Sequence, residues 1–279
     1  MTDSYAVIGN PVAHSKSPQI HAAFATQTSQ DIIYKAIFCE VGAFAVAVAQ
    51  FREGGGKGMN VTLPFKHEAS QLANWRSVRA QSAGAANTLT FDAQGITADN
   101  TDGVGLVRDI TENLRVSLRG KSILLMGAGG ASYGVAGPLL EEAPRALVVA
   151  NRTVSKATAL VKHVAPNAAR CVLSASSYAA LKERSEGFDV VINATSAGLS
   201  GGMPELADGL FAAGALAYDM VYGGVTPFMA FAQAQGAPGV HIADGLGMLV
   251  EQAAESFYIW RRVRPHTAPV IALLRRASQ

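Results

Sequence analysis

The chain has 279 residues, 49 % of them apolar and 16 % charged, and its 23 basic and 21 acidic residues give a net charge of +2. This composition is typical of a globular protein with a sizeable core, and the length suggests two modest domains. The near-balance of charge gives no support for a nucleic-acid or membrane-surface partner. Arg261, Arg262 and Arg264 form the one dense basic cluster, which we interpret as a solvated helix face because no aromatic residues are interleaved.

Targeting and metal-binding signals are absent from the sequence. The first ten residues lack the basic and long apolar segments of a secretion signal, and the longest apolar run, around Val41 to Ala49, is too short to span a bilayer. We therefore expect a cytoplasmic protein. Cys39 and Cys171 stand alone and the histidines form no ligand pattern, so we expect two core cysteines, no disulfide and no metal.

Short β-branched segments alternate with longer helical segments, the pattern of an α/β fold with largely parallel sheets. The first strands are predicted at Tyr5–Ile8, Ile32–Phe38, Met59–Leu63 and Thr88–Phe91. Helices are predicted between them at Ile20–Thr28, Ala43–Phe51 and His67–Arg76. Asp92-Ala-Gln-Gly95 indicates a turn and Asp102-Gly103 a helix start, which places a domain boundary near residue 102.

A second set of strands follows Gly120. These strands are predicted at Ser122–Met126, Ala146–Ala150, Phe188–Asn193 and Leu216–Asp219. From Leu246 onward the pattern is helical, and one stripe at helical spacing contains Gly245, Leu249, Gln252 and Ser256. These last helices have no strands of their own, so we expect them to pack on an existing sheet.

The segment SILLMGAGGAS, residues 122–132, runs from an apolar strand directly into Gly127, Gly129 and Gly130. Glycines at such a turn expose backbone N–H groups at a helix N-terminus, where a pyrophosphate binds. Ser132 replaces the third glycine of the dinucleotide-binding pattern. A purely structural glycine turn is the alternative.

The next predicted strand ends in VVANRTVSK, where NAD-binding folds usually carry an acidic residue for the ribose 2′-hydroxyl. No Asp or Glu occurs between Glu142 and Glu183, and Arg152, Thr153 and Lys156 stand there instead. Hydrogen bonds to charged groups contribute about 1.5–3 kcal/mol each, so the two cations favour NADP over NAD. Alternatively, both are ordinary surface cations and Thr153 is a helix N-cap.

Four polar clusters lie at strand ends in the first hundred residues. They are Ser15-Lys-Ser17, Asn60-Val-Thr62 with Pro64-Phe-Lys66, Gly84-Ala-Ala-Asn87-Thr88 and Asn100-Thr-Asp102-Gly103. Ligands bind at strand ends in open α/β sheets, so the clusters are candidates for one polyhydroxylated ligand. Each has a structural alternative: Ser17-Pro18 as an N-cap and N1 proline, Lys66 as a solvated lysine, and Asp102 as a helix cap.

Nine motifs occur in one order along the chain: GNPVAHSKSP, NVTLPFK, GAANT, NTDGVG, GAGGAS, NRT, NATSAG, YDMVY and DGLGMLVEQ. The set resembles the shikimate dehydrogenase family, from Tyr5 to about Pro269. The resemblance implies a cytoplasmic oxidoreductase that reduces 3-dehydroshikimate to shikimate with NADPH, a step of aromatic amino-acid (chorismate) biosynthesis. It also implies an open α/β substrate-binding domain at residues 1–102 and 245–279, a Rossmann-type NADP-binding domain at 103–244, a cleft between them, and C-terminal helices that return to the first domain.

For the substrate, the resemblance implies that Ser15 and Ser17 donate hydroxyl hydrogen bonds to a carboxylate, with help from Tyr222. The ring hydroxyls would be bound by Asn60, Thr62, Asn87 and Gln252. Lys66 and Asp102 would contact the substrate and form the catalytic pair. The reaction needs such a pair, because hydride addition to a ketone leaves negative charge on the oxygen that a proton or cation must meet.

For the cofactor, the resemblance implies three groups of contacts. The pyrophosphate would be bound by Gly127, Gly129, Gly130 and Ala131, and the adenosine end by Asn151, Arg152, Thr153 and Lys156. The ribose and nicotinamide would be bordered by Thr195, Ser196, Met220 and Gly245. The chain departs from the family pattern at Tyr133, where arginine is common, and in the glycine pair after Tyr222.

Three alternatives remain at this point. A quinate/shikimate dehydrogenase of the same fold would prefer NAD, which the missing acidic residue argues against. A non-catalytic nucleotide-binding regulator could keep the fold, but Lys66 and Asp102 argue for activity. A methyltransferase with a similar glycine turn would bind an uncharged ribose, so Arg152 and Lys156 would have no binding role. We expect a small-molecule substrate and either a monomer or a homodimer.

Overall fold

The computed structural model describes residues 2–168, 170–195, 202–235 and 238–277. The chain forms two compact units. The first contains Met1–Gly105 and Leu249–Gln279, and the second contains Leu106–Met248. Both boundaries fall inside helices, so the chain passes between the units without an extended linker.

The first unit is a six-stranded sheet with helices on it. Its strands are β1 (Asp3–Gly9), β2 (Ile32–Phe38), β3 (Gly56–Val61), β4 (Trp75–Arg76), β5 (Thr88–Phe91) and β6 (Ile96–Asp99). Its helices are α1 (Ser17–Thr28), α2 (Phe44–Glu53), α3 (Lys66–Leu72) and α4 (Val78–Ala83), and α5 (Asp102–Arg108) begins in it. The strand order is β2-β1-β3-β5-β6-β4.

The sheet of the first unit is mixed. β1 runs parallel to β2 and β3, whereas β5 runs antiparallel to β3 and β6. The turn predicted at Asp92–Gly95 produces this reversal: the Asp92 carboxylate accepts the N–H groups of Gln94 and Gly95 at 2.8 and 2.9 Å. A connection this short joins only antiparallel strands, so β5 is the exception among pairings that are otherwise parallel, as predicted.

The helix predicted at His67–Arg76 is shorter in the structure, where it ends at Leu72. The chain then becomes extended, and Asn74 exchanges hydrogen bonds with Ile96: its N–H donates to the Ile96 carbonyl at 2.9 Å and its Oδ1 accepts the Ile96 N–H at 2.8 Å. Trp75–Arg76 consequently pairs with β6 as a two-residue strand. Pairing with a strand distant in sequence overrides the local helical pattern.

The C-terminal helices are α9 (Leu246–Arg261) and α10 (Ala268–Arg276). The Trp260 indole donates to the Leu89 carbonyl at 3.0 Å, and its ring fills the space that a side chain at Gly58 would occupy. A glycine in β3 therefore lets α9 pack on the sheet of the first unit, as expected.

The interpretation of the arginine cluster as a solvated helix face is wrong for Arg261, whereas Arg264 is exposed but lies beyond the end of α9. Arg261 forms an ion pair with Asp3 on β1 and donates to Gln30 at 2.8 Å. Arg264 is paired with Glu255 at 2.7 Å. Because Asp3 and Gln30 are distant in sequence from the cluster, composition gave no sign of these pairs.

The second unit contains a parallel sheet in the order β12-β11-β10-β7-β8-β9. Its strands are β7 (Ser122–Met126), β8 (Ala146–Ala150), β9 (Val172–Ser176), β10 (Phe188–Asn193), β11 (Phe211–Asp219) and β12 (His241–Ala243). Its helices are α6 (Gly130–Glu141), α7 (Val154–Val164) and α8 (Pro227–Ala234), and a π-helical turn, Asp109–Asn113, continues α5. Among the central strands, β7 is fully buried and β10 is buried except at Asp189, which matches their mainly apolar sequences.

No helix in the described ranges is long and apolar enough to cross a membrane. Within the same ranges, no group of three or more His, Cys, Asp or Glu side chains could hold a metal ion. Both cysteines are free thiols. Cys39 is buried as expected, whereas Cys171 is half-buried because it precedes β9, which lies at the edge of its sheet.

Candidate functional site

Lys66 and Asp102 form an ion pair in the first unit. Each residue begins a helix, α3 and α5 respectively, and Lys66 Nζ lies 2.6 Å from Asp102 Oδ2. The lysine side chain is 28 % exposed and the carboxylate 10 %. The carboxylate is therefore fixed inside the protein, while the ammonium keeps access to a molecule arriving from solvent.

Asn87 connects this pair to the end of β6 and to α9. Its Nδ2 donates to Asp102 Oδ1 at 2.8 Å and lies 3.0 Å from Gln252 Oε1. Its Oδ1 accepts the N–H of Thr101 at 2.9 Å. Asn87 is 3 % exposed, so its amide is held in one orientation by groups from three parts of the chain.

Asn60 is the next member of the same network. It lies in β3, is buried, and its Nδ2 donates to the Asn87 carbonyl at 3.1 Å and to Ser256 Oγ at 3.0 Å. Its Oδ1 accepts the Tyr34 hydroxyl at 2.7 Å. Asn60, Lys66, Asn87, Asp102 and Gln252 are thus joined by direct hydrogen bonds.

Ser15, Ser17 and Thr62 lie outside these direct bonds. The Ser17 N-cap interpretation is wrong: Lys16 occupies the cap position of α1, and Ser15 Oγ accepts the Ser17 N–H at 3.2 Å. Ser17 is instead the first residue of α1 and is buried. Thr62 packs its methyl group against Gly9, where any Cβ would lie 2.3 Å from Thr62 Cγ2; this contact explains the glycine at the end of β1.

Three members of the network were absent from the sequence prediction: Tyr34, Thr101 and Ser256. Thr101 lies inside the quoted motif NTDGVG, and Ser256 shares the predicted stripe with Gln252, so both carried a signal. Tyr34 stands in a strand of alternating burial with no motif around it. Only the pairing of β2 with β1 brings it near the site.

In the second unit, β7 leads through Gly127 into α6. Gly127 has a φ of +101°, and a Cβ there would lie 3.2 Å from the Thr195 side chain. Added Cβ atoms at Gly129 and Gly130 would meet nothing within 4 Å. The first N–H groups of a helix lack intrahelical acceptors, so the turn up to Ala131 offers donors with open space before them.

The residues after β8 are mostly exposed. Arg152, Thr153 and Lys156 face solvent, and Asn151 Nδ2 donates to the Thr153 carbonyl at 2.9 Å. Thr153 occupies the N-cap position of α7, but its hydroxyl makes no capping bond. The N-cap interpretation of Thr153 is therefore right about its position before α7 and wrong about a capping hydrogen bond.

Tyr178, which the sequence prediction did not include, lies near this region. Burial raises its pKa to about 12, and this rise is opposed by the Gly127 backbone and the charge of Arg152. The hydroxyl is thus protonated at neutral pH beside the glycine turn. Tyr178 follows a strand that the sequence prediction missed, so its position could not be foreseen.

The ends of β10 and β11 are held together by Asp219. This fully buried carboxylate accepts Asn193 Nδ2 at 3.1 Å, Thr226 Oγ1 at 2.6 Å and the Val221 N–H at 3.0 Å. Asn193 in turn accepts the Thr195 hydroxyl at 2.7 Å. The segments that carry Thr195 and Met220 are therefore fixed to one another.

The remaining predicted residues of this unit are Tyr133, Ser196, Tyr222 and Gly245. Ser196 lies outside the described residues. Tyr222 is half-buried, and burial raises its pKa. Gly245 has a packing reason to be glycine, since a Cβ would lie 2.2 Å from the Met220 carbonyl oxygen. Tyr133 packs against the core, and its ring centroid is 5.3 Å from that of His163.

Three family models match the chain. They are the shikimate dehydrogenase substrate binding domain at residues 7–89, shikimate/quinate 5-dehydrogenase at 107–200, and the shikimate 5′-dehydrogenase C-terminal domain at 245–275. A relative named shikimate dehydrogenase (NADP(+)) from Methylobacillus flagellatus is 58 % identical over 99 % of this chain and 100 % of its own length. The chain belongs to the shikimate dehydrogenase family. The family assigned from the nine motifs is confirmed.

Solved structures agree with this family. An Ael1 enzyme from Pseudomonas putida is 48 % identical, with a TM-score of 0.90 over 98 % of both chains. A shikimate 5-dehydrogenase from Thermus thermophilus, in complex with NADP(H) and shikimate, is 30 % identical, with a TM-score of 0.85 over 99 % of this chain and 100 % of its own. These similarities confirm the predicted α/β fold class of the shikimate dehydrogenase family and do not favour a methyltransferase.

Proposed function

We propose that this member of the shikimate dehydrogenase family is an oxidoreductase that reduces 3-dehydroshikimate to shikimate with NADPH in aromatic amino-acid (chorismate) biosynthesis. One observation carries the proposal. Lys66 and Asp102 form an ion pair at 2.6 Å that Asn87 ties to the other polar side chains of the first unit. Proton transfer needs a fixed donor of this kind, and a close relative is named for the same activity.

Lys66 is proposed to give the proton. As negative charge grows on the ketone oxygen, the ammonium first stabilises it by charge and then transfers a proton to it. Asp102 holds the lysine in position through Oδ2, while Oδ1 is fixed by Asn87. In the reverse direction the Lys66 amine takes the proton from the substrate hydroxyl.

The remaining polar side chains are proposed to hold the substrate. Ser15 and Ser17 donate to the carboxylate, Tyr222 supplies a further hydroxyl there, and the ring hydroxyls are bound by Asn60, Thr62, Asn87 and Gln252. Asn60, Asn87 and Gln252 are already joined by hydrogen bonds in the structure. Such a network is ordered before the ligand arrives, which lowers the entropy lost on binding.

The second unit fits NADP(H). The space before Gly129 and Gly130 admits a pyrophosphate at the N-terminus of α6, where the helix dipole favours negative charge. Arg152 and Lys156 are exposed and suit the 2′-phosphate. The adenosine end also receives Asn151 and Thr153, and the nicotinamide end Thr195, Ser196, Met220 and Gly245. When bound, NADPH supplies the hydride for the ketone carbon.

The alternative enzyme is a quinate/shikimate dehydrogenase that prefers NAD. Such an enzyme would need an acidic residue after β8 for the ribose hydroxyl, and the segment there holds Arg152 and Lys156. A non-catalytic regulator would have no need of a solvent-accessible lysine held by a buried carboxylate. Neither alternative accounts for both the Lys66–Asp102 pair of the first unit and the two cations after β8 in the second.

The deciding experiment follows NADPH absorbance with the purified full-length protein. We expect consumption with 3-dehydroshikimate, a much lower rate with NADH, and little activity with 3-dehydroquinate. Equal or higher efficiency with NADH and dehydroquinate would favour the alternative enzyme. An absence of turnover with all four combinations, while NADPH still binds, would favour the regulator.

The proposal also covers organisation and location. Residues 1–102 with 245–279 are proposed to bind the substrate and residues 103–244 to bind the nucleotide. We propose a cytoplasmic enzyme that works as a monomer or a homodimer. Light scattering of the purified protein and fractionation of the source cells test these two points.

A further inference from the structure

We propose that Tyr34 is a positioning residue for the substrate, because its hydroxyl donates to Asn60 Oδ1 and thereby holds the orientation of the Asn60 amide. This inference rests on the proposed function, in which Asn60 binds a ring hydroxyl. Tyr34 would thus place the groups that Asn60 offers to the ligand without having to touch the ligand.

The orientation of Asn60 follows from its neighbours. The Asn87 carbonyl oxygen can only accept, so the Asn60 atom 3.1 Å from it must be the donating Nδ2. Oδ1 then faces Tyr34, at 2.7 Å from the hydroxyl. Because Oδ1 can only accept, the proton of the Tyr34 hydroxyl is committed to Asn60.

The Tyr34 hydroxyl supplies the proton that Asn60 Oδ1 accepts. Burial raises the pKa of Tyr34 well above its ordinary value, so the phenol keeps the proton that this arrangement needs. Loss of the hydroxyl would leave Asn60 Oδ1 without this donor.

His21 holds the ring of Tyr34. The two rings are parallel to within 5°, with centroids 4.1 Å apart, and His21 is fully buried. Burial lowers the pKa of His21 to about 3, a shift that the Asn60 side chain partly opposes. The imidazole is consequently neutral at physiological pH and acts as a flat surface against which Tyr34 stacks.

The test compares Tyr34→Phe with a matched control, Tyr5→Phe. Tyr5 lies beside Tyr34 on the adjacent strand β1. Its hydroxyl contacts Arg261 at 3.4 Å and does not contact Asn60. For Tyr34→Phe we expect the KM for shikimate to rise about 5- to 20-fold, with kcat changed less than about 3-fold and the KM for NADP unchanged. For Tyr5→Phe we expect all three constants to stay near wild type. Equal effects of the two variants would overturn the proposal.

A double-mutant cycle separates positioning from a general structural effect. If Tyr34 acts through Asn60, Tyr34→Phe has little further effect on the KM for shikimate in the Asn60→Ala background. Independent effects that multiply would contradict the inference. If Tyr34→Phe does not fold, Tyr34→Met, which also lacks the hydroxyl, replaces it in the same cycle, and independent effects again count against the inference.

The outcomes also separate this inference from the proposed function. A wild-type protein that does not oxidise shikimate overturns both. A wild-type protein that is active, with Tyr34→Phe kinetically like Tyr5→Phe, overturns the inference alone.

Discussion

The residues proposed to bind the substrate and those proposed to bind the nucleotide differ in burial and in hydrogen bonding. In the first unit, Asn60, Asn87 and Asp102 are buried and bonded to one another by side-chain groups. In the second, Arg152 and Lys156 are exposed, and the glycine turn contributes backbone alone.

The difference matches the ligands. A small ring with several hydroxyl groups is distinguished from its isomers by donors and acceptors at fixed places, which requires a rigid network. A dinucleotide is held by its phosphates, which backbone N–H groups and mobile cations bind without such precision. Substitutions in the first unit should therefore act on the reaction, and substitutions among the exposed cations on cofactor choice.

The largest effect is expected for Lys66→Ala. Loss of the proton donor should lower kcat by about 10²- to 10⁴-fold, with a smaller change in the KM for NADPH. Steady-state kinetics at saturating NADPH measure this, and Lys57→Ala, which removes an exposed lysine nearby in sequence, is the control. A Lys66→Ala enzyme with kcat near wild type would show that the pair is only structural.

Gly247→Ala should lower the free energy of unfolding. Such a loss would show that the second unit is held rigid by close packing of its backbone. A Cβ at Gly247 would lie 1.9 Å from Asp109 Oδ1, and the carboxylate cannot move aside, since it accepts the Tyr218 hydroxyl at 2.6 Å and is buried. We expect a loss of about 2–4 kcal/mol in the free energy of unfolding.

Urea denaturation measures this loss, and Gly224→Ala is the matched control, because a Cβ there meets nothing within 4 Å. The control should change stability by less than about 0.5 kcal/mol. Similar values for the two variants would mean that Asp109 yields to the new side chain.

Arg152→Ala should change cofactor choice. Removal of one charged contact to the 2′-phosphate should raise the KM for NADPH about 10-fold while the KM for NADH changes little. The preference for NADPH over NADH should therefore decrease. Lys162→Ala, an exposed lysine at the other end of α7, serves as the control. An unchanged ratio of the two efficiencies in Arg152→Ala would remove Arg152 from the cofactor site.

The smallest expected effect is on how the stability of the fold depends on pH. The folded state keeps His21 neutral down to a pKa of about 3, whereas the unfolded chain takes up the proton near pH 6.5. Stability from this group is therefore complete above pH 6.5 and is lost as the pH falls below it, by at most about 1.4 kcal/mol per unit.

The free energy of unfolding of His21→Phe should lack this component between about pH 6.5 and 5. Phe257→Leu disturbs the same aromatic group without removing a titratable side chain, so its deficit should be constant with pH. A His21→Phe curve parallel to the wild type would show that His21 titrates alike in both states.

Five strands agree with the sequence prediction at both ends: β2, β5, β7, β8 and β10. Their apolar or alternating patterns and their flanking turns were sufficient. The edge strands β4, β9 and β12 and the hairpin strand β6 were missed. These three edge strands are short and largely exposed, so they carry no apolar pattern that distinguishes them from loops, whereas the edge strand β2 has seven residues and such a pattern.

For the candidate site, strand ends were informative and long-range contacts were not. Lys66 and Asp102 belonged to two of the four polar clusters, the family resemblance named them as a pair, and the structure joins them. Tyr34 and Asp219 did not, because what they do depends on partners brought close by the fold. The roles of the individual residues remain predictions.

The three bonds of Asp219 have a consequence for redesign. They fix both ends of the segment from Met220 to Val225, which carries Tyr222 and the adjacent Gly223 and Gly224. Between these anchors the segment can be exchanged for that of a relative as a cassette. Such an exchange varies six residues while Asp219 and Thr226 are retained, and it would test the proposal that Tyr222 contributes to substrate binding.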